Sequence, residues 1–218
     1  MARKEAKLVL ISGRKIVEEF SSPIRTLIAL GPEAQIKADE KIVVSPEILK
    51  KITGFEERDG IAAVVDLPKE ASLEGKQYLL VLDQLADPGN LGTLLRTALA
   101  LGWEGVIVTP GTVDLFNDKA LRAGRGATFR LPFAEKTEAE LEQFLAKRTV
   151  LVADLSGEPL EKVAVRLPVA LVLSNEAKGP KFWARNMGKK VSIPMQEGVE
   201  SLNVAVAGAI FLHGIKAR

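Results

Sequence analysis

The stretch NLGTLLR, residues 90–96, combines an amide, a glycine and an arginine in the opening turns of a predicted helix. The helix follows the apolar strand YLLVLD, and we expect Asn90 to be its N-cap. Arg96 lies about 200° around the helix from Leu94, away from the leucine face. A helix start without bulk at Gly92 favours anions, and a guanidinium can bind a phosphate through two hydrogen bonds. The alternative is that Asn90 is only a cap and Arg96 only a solvated side chain.

Two later stretches also place polar residues beside predicted strands. In LVLSNEAKGP, residues 171–180, an apolar strand ends in Ser174, Asn175 and Glu176, and a basic loop follows. In SIPMQEGVESLNVAVAGAIFLH, residues 192–213, an extended segment leads through a loop into a helix that we expect Ser201 to open. The small residues of this helix allow another backbone to approach closely, within the chain or across a dimer. Tight packing of the helix on its own sheet would need no partner.

Two segments carry basic residues with no acid between them. They contain Lys119, Arg122, Arg125 and Arg130 in the first, and Lys178, Lys181, Arg185, Lys189 and Lys190 in the second. Such segments are either solvated loops or strips that bind phosphates. The net charge of +2 is too small to choose between these interpretations.

The composition argues against several kinds of site. The chain has no cysteine and one histidine, His213, which makes thiolate chemistry impossible and a histidine metal site or a Ser-His-Asp triad improbable. No metal is therefore expected. No apolar run approaches the roughly 20 residues that cross a bilayer, and the first residues lack the apolar core of a signal peptide. We expect a cytoplasmic protein that does not contact a membrane.

The elements that must position these residues fall into two predicted domains. Residues 1–70 are typical of a small α/β unit, residues 71–77 of a polar linker, and residues 78–218 of a larger α/β domain. In the larger domain, continuous Val, Leu and Ile runs alternate with helices, which predicts a doubly wound, mostly parallel sheet covered on both faces. Ser45 is expected to cap a helix of the first domain, and Thr137 to open a capping box in the second.

Taken in order, NLGTLLR, LSNEAKG and IPM…SLNVAVA resemble the three signature motifs of the SpoU/TrmH family. The resemblance covers about residues 78–215, and KALRAGRGATFRLPF is similar to the segment between the family's first two motifs. Residues 1–70 resemble, in SGRKIVEE and DGIAAVV, the substrate-binding domain that precedes the catalytic domain in many ribosomal RNA members. The family consists of RNA ribose 2′-O-methyltransferases.

The resemblance implies a fold, an activity and partners. The fold would carry a trefoil knot at its carboxyl end, and a homodimer would complete the active site. The cofactor would be S-adenosyl-L-methionine and the substrate structured RNA, ribosomal RNA rather than transfer RNA. Arg96 would either clamp a phosphate beside the target ribose or, with that phosphate bound, accept the proton of the hydroxyl.

The motif positions also imply the site residues. The catalytic and signature polar positions are Arg96, Asn90, Glu176, Ser201 and Asn203. The cofactor positions are Leu173, Ser174, Asn175, Ile193, Met195 and Leu202. The basic residues expected to hold the RNA backbone are Arg122, Arg125, Lys178 and Lys181.

The sequence departs from the family pattern in its loop glycines. Ser174 and Ala177 stand where the family usually has glycine, and Gly198 lies one place later than the usual loop glycine. Since such glycines supply unusual backbone angles or room for a ligand, a non-catalytic member that binds RNA or assists ribosome assembly is the alternative. A Rossmann nucleotide enzyme is disfavoured, because AGRGATF offers only G-x-G and follows no clear strand.

Overall fold

The computed structural model describes residues 5–54, 56, 59–176 and 178–217. Ala177, one of the altered glycine positions, lies outside these residues. The chain divides into two compact units, Met1–Lys69 and Glu70–Arg218. In the second unit, Leu73 is buried in the core, and the amide of Ala71 donates to the carbonyl of Phe133 at 2.9 Å.

The first unit is built on a four-stranded sheet. Its elements are β1 (Leu8–Ser12), α1 (Arg14–Glu18), β2 (Ile24–Ala29), β3 (Glu40–Val43), α2 (Pro46–Thr53) and β4 (Ile61–Asp66). The strand order is β1-β4-β2-β3; β2 pairs with β3 in parallel, and β4 pairs with β1 and with β2 antiparallel. The predicted cap of α2 is confirmed, since Ser45 Oγ accepts from the amide of Ile48 at 3.4 Å.

The second unit is built on a six-stranded sheet. Its elements are β5 (Tyr78–Asp83), α3 (Pro88–Ala100), β6 (Gly105–Val108), α4 (Asp118–Gly124), α5 (Ala127–Arg130), β7 (Phe133–Glu135), α6 (Glu138–Leu145), β8 (Thr149–Pro159), a 3₁₀ turn (Leu160–Lys162), β9 (Val169–Ser174), α7 (Phe182–Met187), β10 (Lys189–Ser192) and α8 (Val204–Lys216). The order is β10-β8-β9-β5-β6-β7, and every pairing is parallel. The predicted parallel sheet is confirmed.

Helices cover both faces of this sheet. On one face, Leu141 of α6 and Trp183 of α7 pack with Val81 and Val172 in one buried cluster. On the other face α8 packs against α3 and β9. A methyl group added at Gly208 would collide with Leu94 and Leu173, so Gly208 serves the close packing of α8 within the chain.

Two helix starts differ from the sequence expectation. Asp87, not Asn90, caps α3: its Oδ1 accepts from the amide of Asn90 at 2.7 Å, and this bond lowers the pKa of the carboxyl. Asn203, not Ser201, caps α8, its Oδ1 accepting from the amides of Ala205 and Val206. In each case the cap is the residue immediately before the first helical residue, Pro88 in α3 and Val204 in α8. The capping box of Thr137 and Glu140 in α6 is confirmed.

Gly92 also has a different role from the expected one. It is buried, and a methyl group there would collide with the carbonyl oxygen of Ala120 and crowd the amide of Gly124. The glycine of NLGTLLR therefore lets the backbone of α4 approach α3, rather than leaving space for a ligand.

In the described part of the chain, no helix is long and apolar enough to cross a membrane. The same residues contain no group of three or more histidine, aspartate or glutamate side chains that could hold a metal ion.

Candidate active site

A cavity of about 270 Å³ opens beside the carboxyl ends of the central strands. It is lined by the end of β9 and the loop after it, by residues 153–155 of β8, by the loop after β10 and by the start of α8. All six predicted cofactor residues line it: Leu173, Ser174, Asn175, Ile193, Met195 and Leu202. The carboxyl edge of a parallel sheet is where α/β proteins bind ligands. The cavity therefore lies where loops that bind a cofactor are expected.

The walls of the cavity are mostly apolar, with a few polar groups. Ser174 Oγ is buried and has no hydrogen-bond partner among the described residues, which leaves it free to bond to a bound molecule. Asp154 and Arg185 supply opposite charges. Burial acts to raise the pKa of Asp154, but hydrogen bonds from Ser156 and the nearby Lys190 ammonium hold it below its usual value. These groups suit a ligand that has an apolar body, hydrogen-bonding groups and charges of both signs.

Two of the positions that depart from the family's glycine pattern, Ser174 and Gly198, lie among the described residues. Neither requires a strained backbone conformation. Ser174 ends strand β9 and has no positive φ, so its backbone needs no glycine. Gly198 has φ of 87°, a left-handed conformation that glycine adopts without strain.

A polar cluster joins the three sequence motifs next to this cavity. Asn90 Nδ2 donates to Glu176 Oε1 at 3.1 Å, and Asn203 Nδ2 donates to Asn90 Oδ1 at 3.0 Å. The amide of Val204, the first residue of α8, donates to the same Glu176 oxygen at 3.0 Å. Glu176 and Ser201 also line the cavity, whereas Asn90 and Asn203 do not. Because α3 begins at Pro88 and not after Asn90, the Asn90 side chain is available to bridge the other two motifs.

Arg96 is not part of this cluster within the chain. It is exposed on α3, and no hydrogen bond or ion pair joins its side chain to another described residue. It lies six positions after Asn90, which places it about 9 Å further along the helix axis. Arg96 does not line the cavity either.

The basic residues expected to hold RNA differ in their environment. Arg122 pairs with Asp118 at 2.9 Å, and Lys181 forms an ion pair with Glu138, which raises the pKa of the lysine. Arg125, which follows α4, and Lys178, in the loop after β9, are exposed.

The sequence interpretation missed two buried residues at the sheet edge. Asp83 ends β5 and Thr109 follows β6; the Thr109 hydroxyl donates to Asp83 Oδ1 at 2.7 Å. Burial raises the pKa of Asp83, against the opposing effect of this hydrogen bond. The only signal in the sequence was a carboxylate closing an otherwise apolar strand.

The family model described as the SpoU rRNA Methylase family matches residues 77–213. The chain belongs to this family. It is 32% identical over 225 residues to the 23S rRNA (guanosine(2553)-2'-O)-methyltransferase RlmP of Bacillus subtilis, covering 98% of this chain and 90% of that protein. It is 34% identical over 214 residues to the 23S rRNA (guanosine-2'-O-)-methyltransferase RlmB of Xylella fastidiosa, covering 91% of this chain and 86% of the relative.

Solved structures of SpoU methyltransferases and related enzymes have the same fold. The AdoMet-bound rRNA methyltransferase from Sinorhizobium meliloti superimposes with a TM-score of 0.87 at 26% identity, over 99% of this chain and 89% of that one. The SpoU methyltransferase AviRb from Streptomyces viridochromogenes gives 0.85 at 26% identity, over 99% and 91% of the two chains. The predicted fold class is thereby confirmed.

Proposed function

We propose that this protein transfers a methyl group from S-adenosyl-L-methionine to a ribose 2′-hydroxyl of ribosomal RNA. The observation that carries the proposal is the meeting of Asn90, Glu176 and Asn203 beside a cavity lined by the six expected cofactor residues. Relatives named as 23S rRNA 2′-O-methyltransferases support this reaction and this class of RNA.

The loops at the carboxyl edge of the sheet would hold the cofactor. Leu173, Ile193, Met195 and Leu202 offer apolar contacts, and the unused Ser174 hydroxyl a hydrogen bond. When bound, the cofactor supplies a methyl group on a positively charged sulfur. As the methyl carbon bonds to the ribose oxygen, the sulfur keeps the electron pair of the broken carbon–sulfur bond, and the hydroxyl proton leaves to water or to a base. The protein must place that oxygen in line with the methyl group, which supplies several kcal/mol through proximity alone.

Arg96 would act on the RNA side of the reaction. Its exposed guanidinium, without a partner in the described chain, is available to bind the phosphate next to the target ribose and to stabilise the developing oxyanion. A guanidinium normally stays protonated, so accepting the hydroxyl proton is the second role to be tested. Asn90, Glu176 and Asn203 would hold the start of α3 and the start of α8 in place, and Ser201 would lie at the substrate side of the cavity.

Binding of the RNA would use both units. Arg122, Arg125, Lys178 and Lys181 would contact the backbone around the target, while residues 1–70 would select the RNA. An unstacked loop nucleotide is the expected target, because a ribose within an A-form stem is difficult to bring into a pocket.

The protein would act in the cytoplasm, as a homodimer. A second copy of the chain would complete the active site. Val206 and Ile210 are exposed on α8 at one-turn spacing, with exposed fractions of 51% and 43%, which favours a contact between copies there. Such a contact would allow Arg96 of one copy to act with the cavity of the other.

The test is to map 2′-O-methyl nucleotides in ribosomal RNA from cells with and without the protein. We expect one position to lose its mark without the protein and to regain it when purified protein and S-adenosylmethionine are added to the unmodified RNA. Unchanged marks, together with salt-sensitive RNA binding but no cofactor binding, would instead indicate the non-catalytic alternative.

A further inference from the structure

A buried carboxylate closes β5 beside the cofactor loop. Asp83 is 1% exposed and pairs in register with Ser174 of β9. Its Oδ1 accepts from the Thr109 hydroxyl at 2.7 Å, and its Oδ2 has no partner among the described residues. Burying a carboxylate with so few hydrogen bonds is unfavourable, so Asp83 lowers the stability of the fold.

The Thr109 hydroxyl connects this carboxylate to the next residue of the chain. A hydroxyl has one proton, and Thr109 gives it to Asp83, so its oxygen is free to accept from the amide of Gln84 at 3.1 Å. Gln84 has φ of 56°, a left-handed conformation that is unfavourable for a residue other than glycine. Such a conformation persists only where the surroundings hold it. Here the Thr109 hydroxyl helps to hold this conformation, because its oxygen accepts the hydrogen bond from the Gln84 amide.

Gln84 in turn fixes Asn175, which lines the cavity. The carbonyl of Gln84 accepts from Asn175 Nδ2 at 3.1 Å, and the carbonyl of Asp83 accepts from the Asn175 amide at 3.1 Å. Asn175 then accepts at its carbonyl from the amide of Gly179 at 2.8 Å. The four residues Asp83, Thr109, Gln84 and Asn175 thus form a continuous chain of hydrogen bonds, which we call the strand-end relay.

We propose that Asp83 and Thr109 are positioning residues for cofactor binding, acting through the strand-end relay on the loop that begins at Asn175. The inference rests on the proposed function, in which this loop holds S-adenosylmethionine. Neither residue touches the cavity, so their loss should weaken the cofactor complex and leave the transfer step at saturating cofactor unchanged.

The test compares three substitutions of similar size. Thr109→Val keeps the shape but removes the hydroxyl, and Thr109→Ser keeps the hydroxyl. Thr112→Val is the matched control, because the Thr112 hydroxyl donates to the carbonyl of Leu82 at 3.0 Å, at the same sheet edge but outside the relay. Calorimetric titration with S-adenosylmethionine should show about tenfold weaker binding for Thr109→Val. Thr109→Ser and Thr112→Val should bind within about twofold of the wild type, and all three should methylate RNA at the wild-type rate when cofactor saturates.

A second measurement needs no cofactor. Hydrogen exchange of the free protein should show faster exchange at the amides of Asn175 and Gly179 in Thr109→Val, and unchanged exchange there in Thr112→Val. This result separates the inference from the proposed function: a wild type that binds no cofactor overturns the function, whereas the exchange data still test the relay.

Three outcomes would overturn the inference. They are wild-type cofactor affinity in Thr109→Val, equal weakening of cofactor affinity in Thr109→Val and Thr112→Val, and unchanged exchange at the amides of Asn175 and Gly179 in Thr109→Val. If Thr109→Val does not fold because Asp83 is left without its partner, the double variant Asp83→Asn/Thr109→Val removes the buried charge. The same tenfold loss is expected of that variant, and wild-type affinity in it would contradict the relay.

Discussion

The carboxylate of Glu176 accepts a hydrogen bond of 3.1 Å from the side chain of Asn90, 86 residues earlier in the chain. The same oxygen accepts from the amide of Val204 at the start of α8. One glutamate therefore holds the first turn of α3 and the first turn of α8 against the loop that follows β9. Removal of the Glu176 carboxylate should therefore disturb both the substrate site and the cofactor site.

Glu176→Ala should lower kcat/KM for RNA methylation roughly tenfold to a hundredfold, since two hydrogen bonds to a charged acceptor are lost. Glu176→Gln, which keeps an acceptor oxygen, should lose less. The exposed Glu161→Ala serves as the control and should match the wild type. Equal activity of Glu176→Ala and Glu161→Ala in steady-state assays would contradict the role given to the polar cluster.

Arg96→Ala should abolish detectable methylation, a loss of about 10²-fold or more, because the guanidinium would no longer contact the phosphate and oxyanion. Cofactor affinity should stay unchanged, since Arg96 does not line the cavity. Arg166→Ala, an exposed arginine before β9, is the control. Single-turnover assays and calorimetry on both variants measure the two effects, and wild-type turnover in Arg96→Ala would exclude both roles considered for this residue.

Asp83→Asn should change stability in a pH-dependent way. Burial raises the folded-state pKa of Asp83, so between the unfolded and folded pKa values the folded protein holds a proton that the unfolded chain has lost. The contribution of Asp83 to stability is therefore greatest at low pH and falls as pH rises through that window. Urea unfolding of the two proteins should be measured from about pH 4 to pH 7. The free energy of unfolding of Asp83→Asn should increase relative to that of the wild type as pH rises. A difference that is constant, or shrinks with pH, would contradict the burial argument.

Gly92→Ala should destabilise the second unit by about 1–3 kcal/mol, because the added methyl collides with the backbone of α4. Gly214→Ala, also on a helix, meets only one methyl group of Leu160 and should change stability by less than about 1 kcal/mol. Thermal unfolding of both variants makes the comparison. Equal effects would mean that α4 can shift freely away from α3.

Local patterns predicted most elements of this fold. The leucine spacing of α3 predicted its buried face, since Leu91, Leu94 and Leu95 are all buried. Cap identity was less predictable at Asn90 and Ser201, because Asp87 and Asn203 are equally good cap formers nearby. A sequence pattern does not say which of two such side chains will reach the free amides of the first turn.

The six cofactor residues that line the cavity were predicted only through the family motifs, and the relay was not predicted. Asp83 and Thr109 lie 26 residues apart, and their contact depends on β5 and β6 being neighbours in register. Nor could the sequence show that Asn90 turns toward Glu176. Contacts of this kind depend on the assembled sheet rather than on local spacing.

The central claim is that the loop after β9, the loop after β10 and the start of α8 form one cofactor site at the carboxyl edge of the sheet. Calorimetric titration of the purified protein with S-adenosylmethionine tests it most directly. We predict saturable binding at one site per chain, weakened by Leu202→Glu, which places a charge on the apolar wall of the cavity. No binding heat at millimolar cofactor, or equal binding by the wild type and Leu202→Glu, would contradict the claim.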